Sequence, residues 1–422
     1  MMNPIRSIKG TYDILPEDIF LWHSLESIIF EICSQYGFKE IRTPVFEETR
    51  LFSRAVGENT DIVTREMYTW NDKDNRSLTL RPELTASVAR SFIQHNLDKD
   101  SPIQRLFYIG PIFRRERPQK GRQRQFHQFG IEAFGSDKPE QDVEIIALAW
   151  HFLSKCKLTE NGNLNINSIG SKKCRDAYCS ALKDYINPFL SELSITSKSR
   201  FEKNPLRVLD TKLDKELTLL QDAPVITDFY TSQDIKHFES VQNFLSQLKI
   251  PFTVNPKLVR GLDYYGGTVF EFNSNSIGAQ DALLGGGRYD GLIEMIGGKS
   301  TPGIGFAAGM ERLLLAMNFR DDYPDNNKPD IYFVCLGDES VAMALNISMQ
   351  LRFKGFKVIF NSLNRSMKSQ LRAANKSGSK YALIIGEDEV KSGSVCFKSL
   401  KSGEQNKILQ SEIINFLDTL TR

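Results

Sequence analysis

After Pro16, the stretch "EDIFLWHSLESIIFEICSQYG" sets Ile19, Trp22, Leu25, Ile29 and Ile32 three or four residues apart and ends at Gly37. That spacing puts one apolar stripe on a helix, and the glycine is a C-terminal stop. "FKEIRTPVFEE" then alternates apolar and polar residues up to Pro44, which predicts an edge or interface strand. "RLFYIGPIFRRE" and "RQFHQFGIEAFG" are two further alternating runs joined by a polar, glycine-containing connector, the pattern of a long antiparallel hairpin. Residues 171 to about 250 turn polar and helical in character, so an inserted helical subdomain is expected there. Strand and glycine patterns resume from Val259 to Gly309 and run into the apolar helix pattern "MERLLLAMNF". "RDDYPDNNKPD" has the composition of a linker. Beyond it, "IYFVCL", "KVIFN" and "YALIIGE" are short buried-strand runs separated by helix-length segments, which predicts a small α/β domain. The expected domains are residues 1–326, interrupted by the insertion, and residues 327–422.

A chain of 422 residues, 41% hydrophobic and 25% charged, can fill two or three cores and has no disordered composition. Its longest apolar run, around "IIALAWHFL", is far short of the ~20 residues a membrane span needs, so a cytoplasmic protein without membrane contact is expected. The six cysteines form no CxxC pair and the five histidines no HExxH. Reduced thiols are therefore expected, with no metal held by protein side chains. Net charge is only +2, yet Arg352 to Lys380 holds eight basic residues and no acidic one. That run suits a polyanion or a solvated helix face equally.

Candidate chemistry sits in four places. In the hairpin, alternation puts Phe107, Ile109, Phe113, Phe129, Ile131 and Ala133 on one face, with Arg114, Glu116, Gln128 and Glu132 projecting outward on the other. This polar face can hold a zwitterion and a phosphate, or merely solvated ion pairs. In "LTLRPELTASVAR", two-residue spacing aims Glu83 and Thr85 the same way as an acceptor pair for an ammonium group; a helix whose first turn contains Pro82 and Glu83 explains the same letters. In "LVRGLDYYGGTVFEF", Arg260, Asp263, Tyr264 and Tyr265 crowd ahead of a strand, and tyrosine hydroxyls suit a flat heteroaromatic ring. "LLGGGRYDGL" and "PGIGFAAGMERLLL" bring glycines that would let a base or phosphate approach the backbone, although close strand packing needs them too. The triple glycine lacks the Lys and Ser/Thr of a Walker loop.

Taken in order, these segments carry a resemblance. The hairpin resembles motif 2 of the class II aminoacyl-tRNA synthetases, "PGIGFAAGMER" resembles motif 3, and "GFKEIRTPVFEE" resembles motif 1. "RGLDYY" and "GGGRYDGL" are similar to two signature segments of the histidyl-tRNA synthetases, and "SMKSQLRAANKSGSKYALIIGEDE" resembles part of their anticodon-binding domain. The resemblance covers essentially the whole chain. It implies an α+β fold, with a class II synthetase-like antiparallel sheet flanked by helices, a helical insertion and a C-terminal α/β anticodon-binding domain. It implies activation of L-histidine with ATP and Mg²⁺, transfer to tRNA(His), and a homodimer. By the same resemblance Glu83, Thr85 and Gln128 would hold the histidine ammonium, Glu132 and Tyr264 the two imidazole nitrogens, and Tyr265 the pocket wall. Arg114 would bind the ATP α-phosphate, Arg312 the γ-phosphate, and Arg260 would lie between the histidine carboxylate and the α-phosphate, so that Arg114 and Arg260 are the expected catalytic residues. Lys120, Arg122 and Arg124 in the connector, and Arg365, Lys368 and Arg372 in the C-terminal part, are expected to face tRNA. The alternative is a non-catalytic, synthetase-like regulatory subunit of histidine biosynthesis. A general nucleic-acid-binding protein would explain the basic segments but not the acidic, tyrosine-rich pocket.

Overall fold

The computed structural model describes residues 4–58, 60–99, 101–119, 121–160, 162–211, 213–274, 282–317, 328–360, 362–363 and 365–421. Contacts divide the chain into two compact units, residues 1–322 and 323–422. The expected linker falls largely on residues 320–327, outside the described residues.

The first unit is built on an eight-stranded sheet in the order Lys39–Glu40, Gln104–Phe113, Gln125–Phe134, Gly303–Gly309, Ala282–Arg288, Thr268–Ser274, Gly162–Ser168 and Thr253–Val254. The six long strands run antiparallel, and the two-residue strands at the edges pair parallel. The hairpin register sets Phe107 opposite Ile131 and Gly110 opposite Gln128. Its odd-numbered residues pack against helices: Phe107 meets Phe30 of the helix Ile19–Gln35, and Phe129 meets Phe152 of the helix Pro139–Lys155. The first of these helices buries Trp22, Leu25, Ile28, Ile29, Ile32 and Cys33, and Gly37 follows it at φ +71°, the left-handed turn that ends the helix.

"FKEIRTPVFEE" does not make one strand. Lys39–Glu40 joins the large sheet, whereas Phe46–Glu48 joins a separate three-stranded sheet with Ser77–Leu80 and Tyr68–Asn71. The break has a physical cause. Pro44 has no N–H, and the carbonyls of Thr43 and Pro44 are taken by the guanidinium of the buried Arg81 at 2.8 and 3.2 Å.

The insertion is helical, with Lys172–Ile186, Ile195–Lys203 and Asp214–Leu219 joined by 3₁₀ turns. The helix Ser232–Gln247, inside the expected limits of the insertion, joins the back of the sheet instead: its His237 bonds Asp142 of the helix Pro139–Lys155 at 2.8 Å. Asp142 is fully buried and also pairs with Arg288, tying that helix to the strand Ala282–Arg288.

The second unit has a five-stranded sheet in the order Val358–Phe360, Ile331–Cys335, Tyr381–Ile385, Ser394–Ser399, Gln405–Leu409. The first three strands are parallel, as the buried runs predict, and the last two are antiparallel additions. Buried Gln370 exchanges hydrogen bonds with the backbone of Cys335, seating the helix Met367–Lys376 against the sheet. That leaves Lys368 and Arg372 exposed four residues apart on one side of the helix, with Arg365 exposed just ahead of it. Among the described residues no helix is long and apolar enough to cross a membrane, and all six cysteines are free thiols.

Candidate active site

The even-numbered face of the hairpin is roofed over rather than open to solvent. Across the sheet, Tyr108, Gly130, Ala307, Gly285 and Glu271 form one row, and Glu132, Gly305 and Gly287 the next. The centre of this floor therefore carries no large side chain. At Gly305 the reason is local: a Cβ would run into the Glu132 carboxylate and the Tyr289 hydroxyl. Above the floor lies a cavity of about 260 Å³, lined by Glu83, Thr85, Gln128, Glu132, Tyr264 and Tyr265 and also by Arg114, Arg260 and Arg312. It thus joins an acceptor-rich region to three guanidinium groups.

Glu132 is the centre of the acidic region. Only 1% exposed, it accepts hydroxyls from Thr85 (2.7 Å), Tyr108 (3.1 Å) and Tyr289. A carboxylate offers about four lone-pair sites, so one remains for a ligand N–H. Burial pushes its pKa up to about 8 against the pull of these hydroxyls. Because the folded-state value lies above the unfolded one, the folded chain holds an extra proton between about pH 4.5 and 8, and its stability falls as pH rises through that window. Glu132→Gln should flatten this fall in urea melts taken from about pH 5 to about pH 8.5; a wild-type and variant difference that stays constant would contradict it.

Glu83 and Thr85 do not form a simple acceptor pair. Both Pro82 and Glu83 precede the helix Thr85–Gln94, and the Glu83 carboxylate accepts the N–H groups of Thr85 and Ala86 at 2.7 and 2.9 Å. It therefore satisfies two otherwise orphaned helix donors while lining the cavity. Thr85 donates its proton to Glu132. Gln128, by contrast, aims a buried Oε1 with no partner, an acceptor left over for a cation. The Tyr264 and Tyr265 rings lie 4.7 Å apart, tilted at 47°, and Tyr264 meets Tyr289 edge-on at 5.5 Å, so three rings make one wall.

At the basic end, Arg114 donates Nε to Pro82 O at 2.9 Å and lies 5.6 Å over the Phe126 ring. Arg312 is held by Gly121 O and Ala282 O, both at 3.2 Å. Burial, then the like charges of Arg122 and Arg114, lower the pKa of Arg312, a crowding of cations that a polyanion would relieve. Arg260 pairs with Glu271, and its guanidinium lies against Gly285, where a Cβ would collide with it. Of the connector residues, Arg122 lines the cavity and pairs with Glu116 at 3.2 Å, and Arg124 packs its side chain beside Gly10. Lys120 lies outside the described residues.

Three site residues escape a reading of the local pattern. Tyr108 shares parity with Arg114 and could have been placed on the site face by alternation; Glu271 is the one carboxylate in the strand "TVFEFNS". Tyr289 reaches Glu132 across 157 positions, a pairing with no local trace.

The sequence pattern described as Histidyl-tRNA synthetase matches residues 10–313, and an anticodon binding domain pattern matches residues 330–420. The chain belongs to the histidyl-tRNA synthetase family. It is 46% identical to the histidine--tRNA ligase of Halothermothrix orenii over 99% of both chains, and 45% identical to that of Acetivibrio thermocellus over 97% of this chain and 98% of the relative. Among solved structures it is similar to the apo histidyl-tRNA synthetase of S. aureus, with a TM-score of 0.82, 37% identity, and 98% and 99% of the two chains covered. The mixed α/β architecture and the separate C-terminal sheet are those of this family.

Proposed function

We propose that the chain activates L-histidine with ATP and then esterifies the 3′ end of tRNA(His). The observation that carries this reading is the single cavity lined both by the acceptors Glu132, Gln128 and Tyr264 and by the guanidinium groups of Arg114, Arg260 and Arg312. Histidine has an ammonium group and two ring nitrogens, and the acceptor-rich end meets those needs; a side chain lacking the nitrogens would leave buried Glu132 without its ligand partner. The histidine carboxylate, already ionised at neutral pH, attacks the α-phosphorus in line. The new bond joins carboxylate oxygen to phosphorus, the bond to the bridging oxygen breaks, and pyrophosphate leaves. Arg114 and Arg260 stabilise charge developing on the α-phosphate, and Arg312 holds the γ-phosphate. A ribose hydroxyl of the tRNA then attacks the acyl carbon, loses its proton and releases AMP.

Among the described residues no three Asp, Glu, His or Cys side chains gather for a metal, and Glu271 is engaged by Arg260 and Asn273. These residues do not fit a protein-built magnesium cage; Mg²⁺ would travel on the triphosphate with phosphate oxygens and water as its ligands.

The regulatory alternative is disfavoured because Arg114, Arg260 and Arg312 all line the cavity and the similarity to ligases runs the length of the chain. The exposed basic residues Arg365, Lys368 and Arg372 suit the tRNA anticodon, and the connector around Arg122 suits the acceptor end. We assign the chain to the cytoplasm as a homodimer; exposed Val45, Phe46 and Trp70 on or beside the three-stranded sheet support an interface there. Charging of unfractionated tRNA with labelled histidine tests the function: label should enter tRNA(His) alone. A folded enzyme that binds tRNA without forming the ester would support the regulatory alternative instead.

A further inference from the structure

The segment 258–266 carries Arg260, Tyr264 and Tyr265 yet belongs to no helix or strand. Its backbone groups therefore need partners from elsewhere. From the body of the unit, Val56 O accepts Asp263 N at 3.3 Å and Arg288 O accepts Gly266 N at 2.8 Å. Leu258 O likewise accepts Asn167 of the strand Gly162–Ser168 at 3.0 Å. From Gly261 to Tyr265 the insertion adds further grips. Arg207 donates to Gly261 O at 2.5 Å and approaches the Asp263 carboxylate at 3.5 Å. Asn204 donates to the same carboxylate at 3.0 Å, and Arg175 donates to Tyr265 O at 2.5 Å. Arg207 is 8% exposed; one arm of its buried guanidinium bonds Gly261 O, and its Nε faces the Asp263 carboxylate as an ion pair without a hydrogen bond. The apolar core is continuous as well: Tyr264 and Tyr265 share one cluster with Cys174, Tyr178, Leu206 and Val208 of the insertion.

We propose that Arg207, assisted by Asn204 and Arg175, is a positioning residue for the reaction: it holds the 260–265 segment in the shape that presents Tyr264 to histidine and Arg260 to the α-phosphate. This rests on the proposed function. One guanidinium spans Gly261 and Asp263, which fixes the turn between Arg260 and Tyr264 from outside the segment. Charge-assisted bonds from a planar fork set both direction and distance, which a single ammonium cannot do. The insertion is then a wall of the histidine site as well as an appendage. ATP contacts made by Arg114, just past the strand Gln104–Phe113, and by Arg312, on the helix Met310–Ala316, come from other elements and do not depend on it.

The test is pyrophosphate exchange with wild type, Arg207→Ala, Arg207→Lys and, as a control on the exposed surface of the insertion, Lys215→Ala. For Arg207→Ala we expect a histidine KM raised and a kcat lowered, each on the order of tenfold, with ATP KM within about twofold of wild type. Arg207→Lys should recover part of the loss, and Lys215→Ala should match wild type. A folded Arg207→Ala protein with wild-type histidine KM and kcat overturns the proposal, as does an equal rise in both KM values. Should Arg207→Ala fail to fold, Asn204→Ala supplies the reading: a smaller rise in histidine KM alone supports the grip, and no rise overturns it. If wild type shows no histidine-dependent exchange, it is the proposed function that fails, and the positioning role with it.

Discussion

Replacing Arg260 with alanine should leave histidine affinity within a few fold of wild type and slow adenylate formation by about 10²- to 10³-fold, the usual effect of removing one preorganised group from a developing charge. The guanidinium lines the same cavity as Glu132 and Arg114, packed on Gly285 and paired with Glu271. Its position there fits a group that meets the α-phosphate as negative charge builds, while Glu132, Gln128 and Tyr264 remain to bind the amino acid. Arg260→Lys should recover little, because an ammonium cannot serve Glu271 and a phosphate oxygen together in a fixed plane. Rapid-quench measurement of the first turnover, alongside equilibrium titration with histidine, separates the two effects. A normal first-turnover rate would remove Arg260 from the chemistry, and a collapse of histidine affinity would make it a binding residue.

Glu132→Ala should have the opposite signature: histidine binding weakened by roughly 10- to 100-fold, the cost of losing a buried hydrogen-bond partner, with ATP binding little changed. The three hydroxyls of Thr85, Tyr108 and Tyr289 lose their common acceptor at the same time, so a fall in stability should accompany the loss. Comparison with Glu132→Gln separates the two consequences, since the amide keeps an oxygen among the hydroxyls. Isothermal titration gives the affinity, and unchanged histidine binding in the alanine variant would exclude Glu132 from the pocket.

The contrast between these residues shows what a local pattern can carry. Period-two alternation put Gln128 and Glu132 on one face and Phe129 and Ile131 on the other, and the strand register has them so. It could not say that this face is covered, because the cover comes from Glu83, Tyr264 and Tyr289, elements remote in the chain. The Glu83 and Thr85 spacing brings both residues to the cavity but does not show their partners. Thr85 turns its hydroxyl to Glu132, 47 positions away, and Glu83 is drawn to two helix N–H groups next to it. The edge strand expected over residues 38–44 forms only at Lys39–Glu40, and it stops short of Thr43 and Pro44, whose carbonyls the buried Arg81 takes. The residues of the basic end were legible as types, since arginines clustered near glycines suggest phosphate. Their convergence in one cavity depends on the end of the strand Gln104–Phe113, the helix Met310–Ala316 and the segment the insertion holds.

Pyrophosphate exchange into ATP, measured across a panel of amino acids, tests the central claim most directly. It requires only the first unit's chemistry and no tRNA, and it reports the step assigned to the cavity. Saturable exchange with histidine and with no other amino acid is the expected result. A folded enzyme that exchanges pyrophosphate with no amino acid, or equally well with one lacking the imidazole, would contradict it.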